Sequence, residues 1–272
     1  MGAFLAGIAK LGFDGQACQG RLAASRATLH GRKGIFVLRL PFVFCLPLFA
    51  ASWIAMAGEN SSPPGEVQYQ EAVAVLAKTD PQLADLMRSV QANQKAADFD
   101  QKMRELGEPF RLTERLLSES ATAGHPVAQY RLVLLYQSYL VPGKEQQMCD
   151  LSASSLEAGF APAALYLANA CLSYTQGPRY EPALQGALAK LPDYARYYPQ
   201  PTVWLTCGAP PTGVELQLGS ANDFRAELYK LLASQIDKRK ALPLRIEYLE
   251  KALASNGCPY ARERLDIYRP AQ

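Results

Sequence analysis

Apolar and polar positions along the chain follow the three-to-four-residue rhythm of amphipathic helices from residue 67 onward. Residues 67–78 and 81–106 read as two helices separated by Thr79, Asp80 and Pro81. Asp80 is a natural N-cap ahead of a proline at the first helical position, and Gly107 ends the second helix. Further helices are expected over 109–123, 126–139, 144–157 and 162–174, with Val141, Pro142 and Gly143 forming a turn. Residues 175–219 break the rhythm, because a short helix over 181–190 gives way to proline-, glycine- and aromatic-rich sequence. It resumes with a helix capped by Ser220 or Asn222 and running to about residue 237, then helices over 241–255 and 260–268.

Within this rhythm lies a repeat. Residues 116–135 read LLSESATAGHPVAQYRLVLL, residues 151–170 read LSASSLEAGFAPAALYLANA, and residues 249–268 read LEKALASNGCPYARERLDIY. Counted from Gly124, Gly159 and Gly257, leucine stands eight residues before (Leu116, Leu151, Leu249) and eight after (Leu132, Leu167, Leu265). Alanine stands four after (Ala128, Ala163, Ala261), and alanine or leucine three before (Ala121, Leu156, Ala254). Such a unit is a helix–turn–helix: the glycine takes the left-handed conformation that closes one helix, and Pro126 or Pro259 opens the next where a missing N–H costs nothing. Small alanines let neighbouring backbones approach, and the leucines fill the gaps between them. One unit cannot bury its apolar face alone, so the expected fold is all-α, an α-solenoid of stacked helix–turn–helix repeats carrying an irregular insertion. The alternative is an ordinary helical bundle with coincidental glycine–alanine spacing.

The A-G-x-P-x-A-Q-Y-x-L run at residues 123–132, with weaker echoes at 158–167 and 256–265, resembles the Sel1-like repeat family, a slightly longer relative of the tetratricopeptide repeat. The clear resemblance covers roughly residues 109–174 and 240–268. The sequence departs from the family in the first helix, where Leu132-Val133 and Tyr136-Gln137-Ser138-Tyr139 replace the usual Leu-Gly and Tyr-x-x-Gly segments. The resemblance implies scaffolding of protein complexes, often at the bacterial cell envelope.

The first 57 residues read differently. Basic Arg32, Lys33 and Arg39 precede an apolar run from Leu40 to Ala57, which ends Ala55-Met56-Ala57 before a polar, proline-rich stretch. That is the layout of a secretory signal, with cleavage expected between Ala57 and Gly58. The alternative is an uncleaved inner-membrane anchor, although eighteen residues containing Pro41 and Pro47 make a poor membrane span. Residues 1–30 exceed the short basic region of such a signal, so translation is expected to begin further along, near residues 32–39. The organisation is then leader and signal (1–57), linker (58–66), N-terminal repeat block (67–174), insertion (175–219) and C-terminal repeat block (220–272).

Charge is concentrated in the leader, which holds six basic side chains and only Asp14 as an acid, leaving 22 basic and 24 acidic residues in the body. A near-neutral body carries no long-range field for nucleic acid or an anionic bilayer, so membrane contact is expected only through the N-terminal segment. Past the signal four cysteines remain, Cys149, Cys171, Cys207 and Cys258, and in an exported chain an even number points to disulfides. Three pairings are open. Cys149 and Cys171 each lie eleven residues from Phe160 at a turn, so on an antiparallel helix pair they face each other, leaving Cys207 to join Cys258. Four buried free thiols are the alternative.

Catalytic chemistry has few candidates. His125, the one histidine of the body, stands at a turn position that the other copies fill with Phe160 and Cys258, which reads as structural. Asp98 with Asp100, or Glu105 with Glu108, form carboxylate pairs on polar helices, where such residues usually make a solvated face. No nucleotide, zinc-protease or nucleophile-elbow motif occurs, the cysteines lack zinc-site spacing, and neither cofactor nor metal is expected. The insertion crowds Tyr194, Tyr197, Tyr198, Pro199, Pro201 and Trp204 into eleven residues. Aromatic residues beside proline offer large contact area at small entropic cost, so they serve either as an interaction surface or as packing for the insertion. The expectation is therefore an exported, non-catalytic periplasmic adaptor that binds a protein or peptide partner. A cell-wall protein that binds or modifies glycan through the insertion's aromatic rings is the alternative.

Overall fold

The computed structural model describes residues 62–92, 98–208, 216–237 and 239–268. The expected leader, signal and cleavage position between Ala57 and Gly58 lie outside the described residues. What is described is mostly helical. Its helices are α1 (Glu66–Gln91), α2 (Phe99–Glu105), α3 (Gly107–Thr122), α4 (Pro126–Ser138), α5 (Glu145–Glu157), α6 (Ala163–Ala170), α7 (Leu172–Thr175) and α8 (Tyr180–Lys190). A 3₁₀ helix, η1 (Leu191–Tyr197), leads to two short antiparallel strands, β1 (Gln200–Thr202) and β2 (Gln217–Gly219), in which Pro201 lies opposite Leu218. The chain then forms α9 (Ala221–Gln235), α10 (Leu242–Asn256) and α11 (Pro259–Tyr268).

The glycine turns have a common chemistry. Gly124, Gly159 and Gly257 all have positive φ (94°, 105° and 78°). At the first two, paired backbone bonds close the preceding helix: Gly124 N–H to Ala121 O with His125 N–H to Ser120 O, and Gly159 N–H to Leu156 O with Phe160 N–H to Ser155 O. Gly257 uses the simpler single bond to Leu253 O at 2.7 Å. The alanines four residues on are fully buried in every case: Ala128, Ala163 and Ala261 each have 0% exposure. Of the positions three before the glycine, Ala121 and Leu156 are buried, whereas Ala254 is exposed.

Successive helices pack in order, α3 on α4, α4 on α5, α5 on α6, and later α9 on α10 and α10 on α11. Helix α4 is apolar over most of its circumference and buries Val127, Tyr130, Leu132, Val133, Leu134 and Leu135, as a largely enclosed helix must. One core runs from Tyr69 on α1 through Leu117, Leu132, Leu156 and Leu167 to Phe224 and Leu232 on α9. A smaller one gathers Cys207, Ala226, Ala233, Leu249, Ala252, Cys258 and Ala261.

In several places the structure departs from the sequence expectation. Pro81 does not open a new helix, since α1 runs through it from Glu66 to Gln91. Tyr69, Ala72, Leu76, Thr79, Leu83 and Leu86 fall on one buried face, and keeping that face continuous outweighs the one backbone bond that proline removes. Asp80 is no N-cap, because its carboxylate faces Arg131 on α4 at 3.7 Å. Gly107 begins α3 instead of ending the helix before it. The helix expected over 162–174 breaks at Cys171, whose φ and ψ (−124° and 64°) leave the helical region as its sulfur turns toward α5. The short helix expected over 181–190 is present as α8, which buries Tyr180, Leu184 and Ala187.

Candidate functional site

The aromatic segment that begins at the end of η1 crosses α1, α4 and α6. At its start, Tyr197 lies edge-on to Tyr69 of α1 (5.7 Å between ring centroids) and to His125 at the head of α4 (5.6 Å). Further on, Tyr130 of α4 donates its hydroxyl to Pro201 O at 2.7 Å. Beyond the strand, Trp204 packs on Tyr166 of α6 at 5.6 Å. Residues 197–204 thus traverse α1, α4 and α6 in turn, as a strap laid over three helices.

Both ends of the strap are held by polar groups, partly buried at the first and buried around Glu227 at the second. At the first, Glu66 accepts hydrogen bonds from Tyr197 Oη and from His125 Nε2 (2.9 Å), with Arg196 at 3.4 Å. His125 Nδ1 accepts from Ala128 N–H at 3.3 Å and caps α4, so the ring is neutral with its proton on Nε2. The ring is wholly buried and stacked on Tyr69 at 4.8 Å. Burial lowers its pKa below the ordinary value, against the opposing pull of Glu66. For Glu66, burial acts to raise the pKa, but hydrogen bonds from Tyr197, Gln70 and His125 together hold it below the usual value. Burial likewise raises the Tyr197 pKa and keeps it a donor. An imidazole shut off from solvent and committed at both nitrogens is a brace, not an accessible base.

At the second end, the buried Glu227 of α9 accepts from the backbone N–H groups of Thr206 and Cys207, from Thr206 Oγ1 (3.0 Å) and from Lys230 Nζ (2.7 Å). Asn256, closing α10, donates to Cys207 O at 2.6 Å and to Asp223 Oδ1 at 2.7 Å. Cys207 is bonded to Cys258, with Cα atoms 4.3 Å apart. Backbone donor, backbone acceptor and side chain of this one residue are all engaged. The other disulfide joins Cys149 on α5 to Cys171 after α6, with Cα atoms 5.8 Å apart. Two disulfides fit an oxidising, exported environment.

The aromatic residues singled out from sequence are largely engaged within the fold. Tyr194 donates to Ala158 O at 3.0 Å and packs on Phe160 at 5.4 Å. Tyr198 lies between Phe160 and Phe224, and its buried hydroxyl has no hydrogen-bond partner among the described residues. Trp204 keeps part of its surface open, with exposed Val203 beside it. Of the carboxylates, Asp98 pairs with Lys102 at 2.9 Å, Glu108 with Arg111 at 2.7 Å, and Glu105 accepts from Gln101 at 2.8 Å, all along helix surfaces. Among the described residues no group of His, Cys, Asp and Glu could hold a metal ion, and no helix is long and apolar enough to cross a membrane.

Glu66, Tyr69, Tyr130, Glu227 and Asn256 were not evident as anchors in the sequence. Each sits in an ordinary helical pattern, and its partner lies at least twenty residues away. Fold and site together define a mostly helical, disulfide-bonded protein whose insertion is strapped across its own helices. Comparison with protein families, curated proteins and solved structures finds no match to this chain.

Proposed function

We propose that this chain is an exported, periplasmic scaffold of stacked helix–turn–helix units, akin to Sel1-like proteins, that holds a protein or peptide partner. The observation that carries the reading is the recurring turn. Gly124 and Gly159 share one backbone hydrogen-bond pattern, and the alanine four residues after each glycine, Gly257 included, is completely buried. Repeated units in register make an extended surface, which suits holding a partner better than enclosing a small substrate. The polar groups with most chemical potential, His125, Glu66 and Glu227, are used to brace the insertion.

The test is crosslinking in the native envelope. A photoreactive residue at Leu218, an exposed position on β2, should capture a defined partner, and purified partner should then bind the purified chain saturably. Saturable binding to purified peptidoglycan, lost on Trp204→Ala, would instead establish the glycan reading, which the partly open Trp204 ring favours. Turnover abolished by His125→Gln in a folded chain would overturn both.

A further inference from the structure

Helices α4 and α6, which follow the turns at Gly124 and Gly159, would together with α1 line the inner face of a stacked-repeat protein, where a partner is expected to dock. In this molecule that face is already covered. Residues 197–204 run across it, from the end of η1 through a bend at Pro199 into β1, and β1 completes its backbone ladder with β2, a limb of the same insertion, instead of with the helices. The helices hold the segment mainly by side chains: the Tyr197 ring against Tyr69 and His125, the Tyr197 hydroxyl on Glu66, Tyr130 on the Pro201 carbonyl, and Tyr166 against Trp204. Those are the contacts by which a groove reads an extended peptide: pockets for alternate side chains and one donor to its backbone.

We propose that the face formed by α1, α4 and α6 is a peptide-recognition groove and that residues 197–204 occupy it as an intramolecular ligand. The partner class follows from the occupant's chemistry: a segment with a tyrosine to reach Glu66 and, four residues on, a proline in strand conformation whose carbonyl accepts from Tyr130. This rests on the scaffold reading and names the kind of partner that reading requires. A partner gains the groove by displacing the strap, whose far end stays tethered through Cys207 and Cys258.

The probe is a fluorescein-labelled peptide with the sequence of residues 196–206, titrated by fluorescence polarisation into the oxidised full-length chain. The wild type should bind it weakly, because the tethered segment competes at an effective concentration on the order of millimolar. Tyr197→Ala loosens the strap without touching the groove and should bind the peptide at least about tenfold tighter, a gain that adding Tyr130→Phe should reduce. No gain by a Tyr197→Ala chain that keeps its helical circular dichroism and both disulfides overturns the proposal.

If Tyr197→Ala fails to fold, Tyr197→Phe read by amide hydrogen exchange decides. Faster exchange confined to residues 197–204 and the facing turns of α1 and α4 supports a displaceable ligand, and an equal rise through α9, α10 and α11 overturns it. Peptide binding as described, with no partner captured in the envelope, would defeat the scaffold reading while leaving the groove assignment intact. A captured partner with no peptide binding does the reverse.

Discussion

Tyr130 and Pro201 are 71 residues apart in the chain, yet the tyrosine hydroxyl donates to the proline carbonyl at 2.7 Å in the protein interior. The bond joins the most enclosed helix, α4, to the strap that crosses it. Burial raises the Tyr130 pKa and keeps the hydroxyl a donor across the physiological range. Tyr130→Phe removes the donor, retains the ring and leaves a buried carbonyl unsatisfied. A loss of about 1–3 kcal/mol in urea unfolding is expected, and an unchanged midpoint would show that the bond contributes nothing net.

The left-handed positions should rank by their surroundings. A Cβ on Gly159 would stand 2.9 Å from Lys190 Cβ and crowd the side chain that donates to Ala158 O at 3.0 Å. One on Gly124 would meet nothing within 4 Å. Gly124→Ala should cost about 1 kcal/mol from conformation alone, and Gly159→Ala about 1–2 kcal/mol more. Leu140 adopts the same conformation (φ 51°) without being glycine, and it is 62% exposed. Leu140→Gly is therefore expected to stabilise the chain by up to about 1 kcal/mol. Thermal unfolding of the three variants checks the order.

Loss of the two disulfides should not cost the same. Cys207 and Cys258 are separated by 51 residues, and Cys149 and Cys171 by 22. Chain-entropy reasoning gives roughly 4 kcal/mol for the longer closure and roughly 3 kcal/mol for the shorter. The double serine variant at Cys207 and Cys258 should be the less stable of the two. It also frees the strap's far end, so limited proteolysis should cut it first after Trp204.

Acid should weaken the fold in two steps. Because the His125 pKa is lowered by burial, the unfolded chain takes up its proton first, and stability falls as pH drops below the ordinary value of 6.5. The Glu66 pKa is lowered as well, so its contribution is present above the ordinary value of 4.5 and is lost as pH falls from there. Arg196 is the cation facing this pair, while Tyr69 and Tyr197 enclose the ring. His125→Asn keeps a capping oxygen for α4 but cannot titrate, and it should flatten the stability profile between about pH 5 and 7 while leaving the lower step. A profile unchanged by the substitution would remove His125 as the source.

The turns were legible because they are local. Glycine alone takes φ near 90° without steric cost, so Gly124, Gly159 and Gly257 announce themselves, and alanine four residues on marks the contact face. Both disulfides lie where the turn geometry around Phe160 and the remaining two cysteines point. Pro81 misleads because local propensity weighs one lost backbone bond, whereas the structure weighs a continuous buried face from Tyr69 to Leu86. The strap's anchors were illegible for a related reason. Glu66 and Glu227 look like any helical carboxylate until the fold brings backbone and hydroxyl donors to them from a distant segment.

Neighbouring residues alone encode helix periodicity, glycine-closed turns and the spacing of the small residues that let helices meet. The course of the aromatic segment is set by long-range contacts. Its path over α1, α4 and α6 is selected by burial of rings and pairing of polar groups between residues as far apart as Glu66 and Tyr197. Such contacts gain free energy only after the chain between them has been ordered, and no local pattern encodes that.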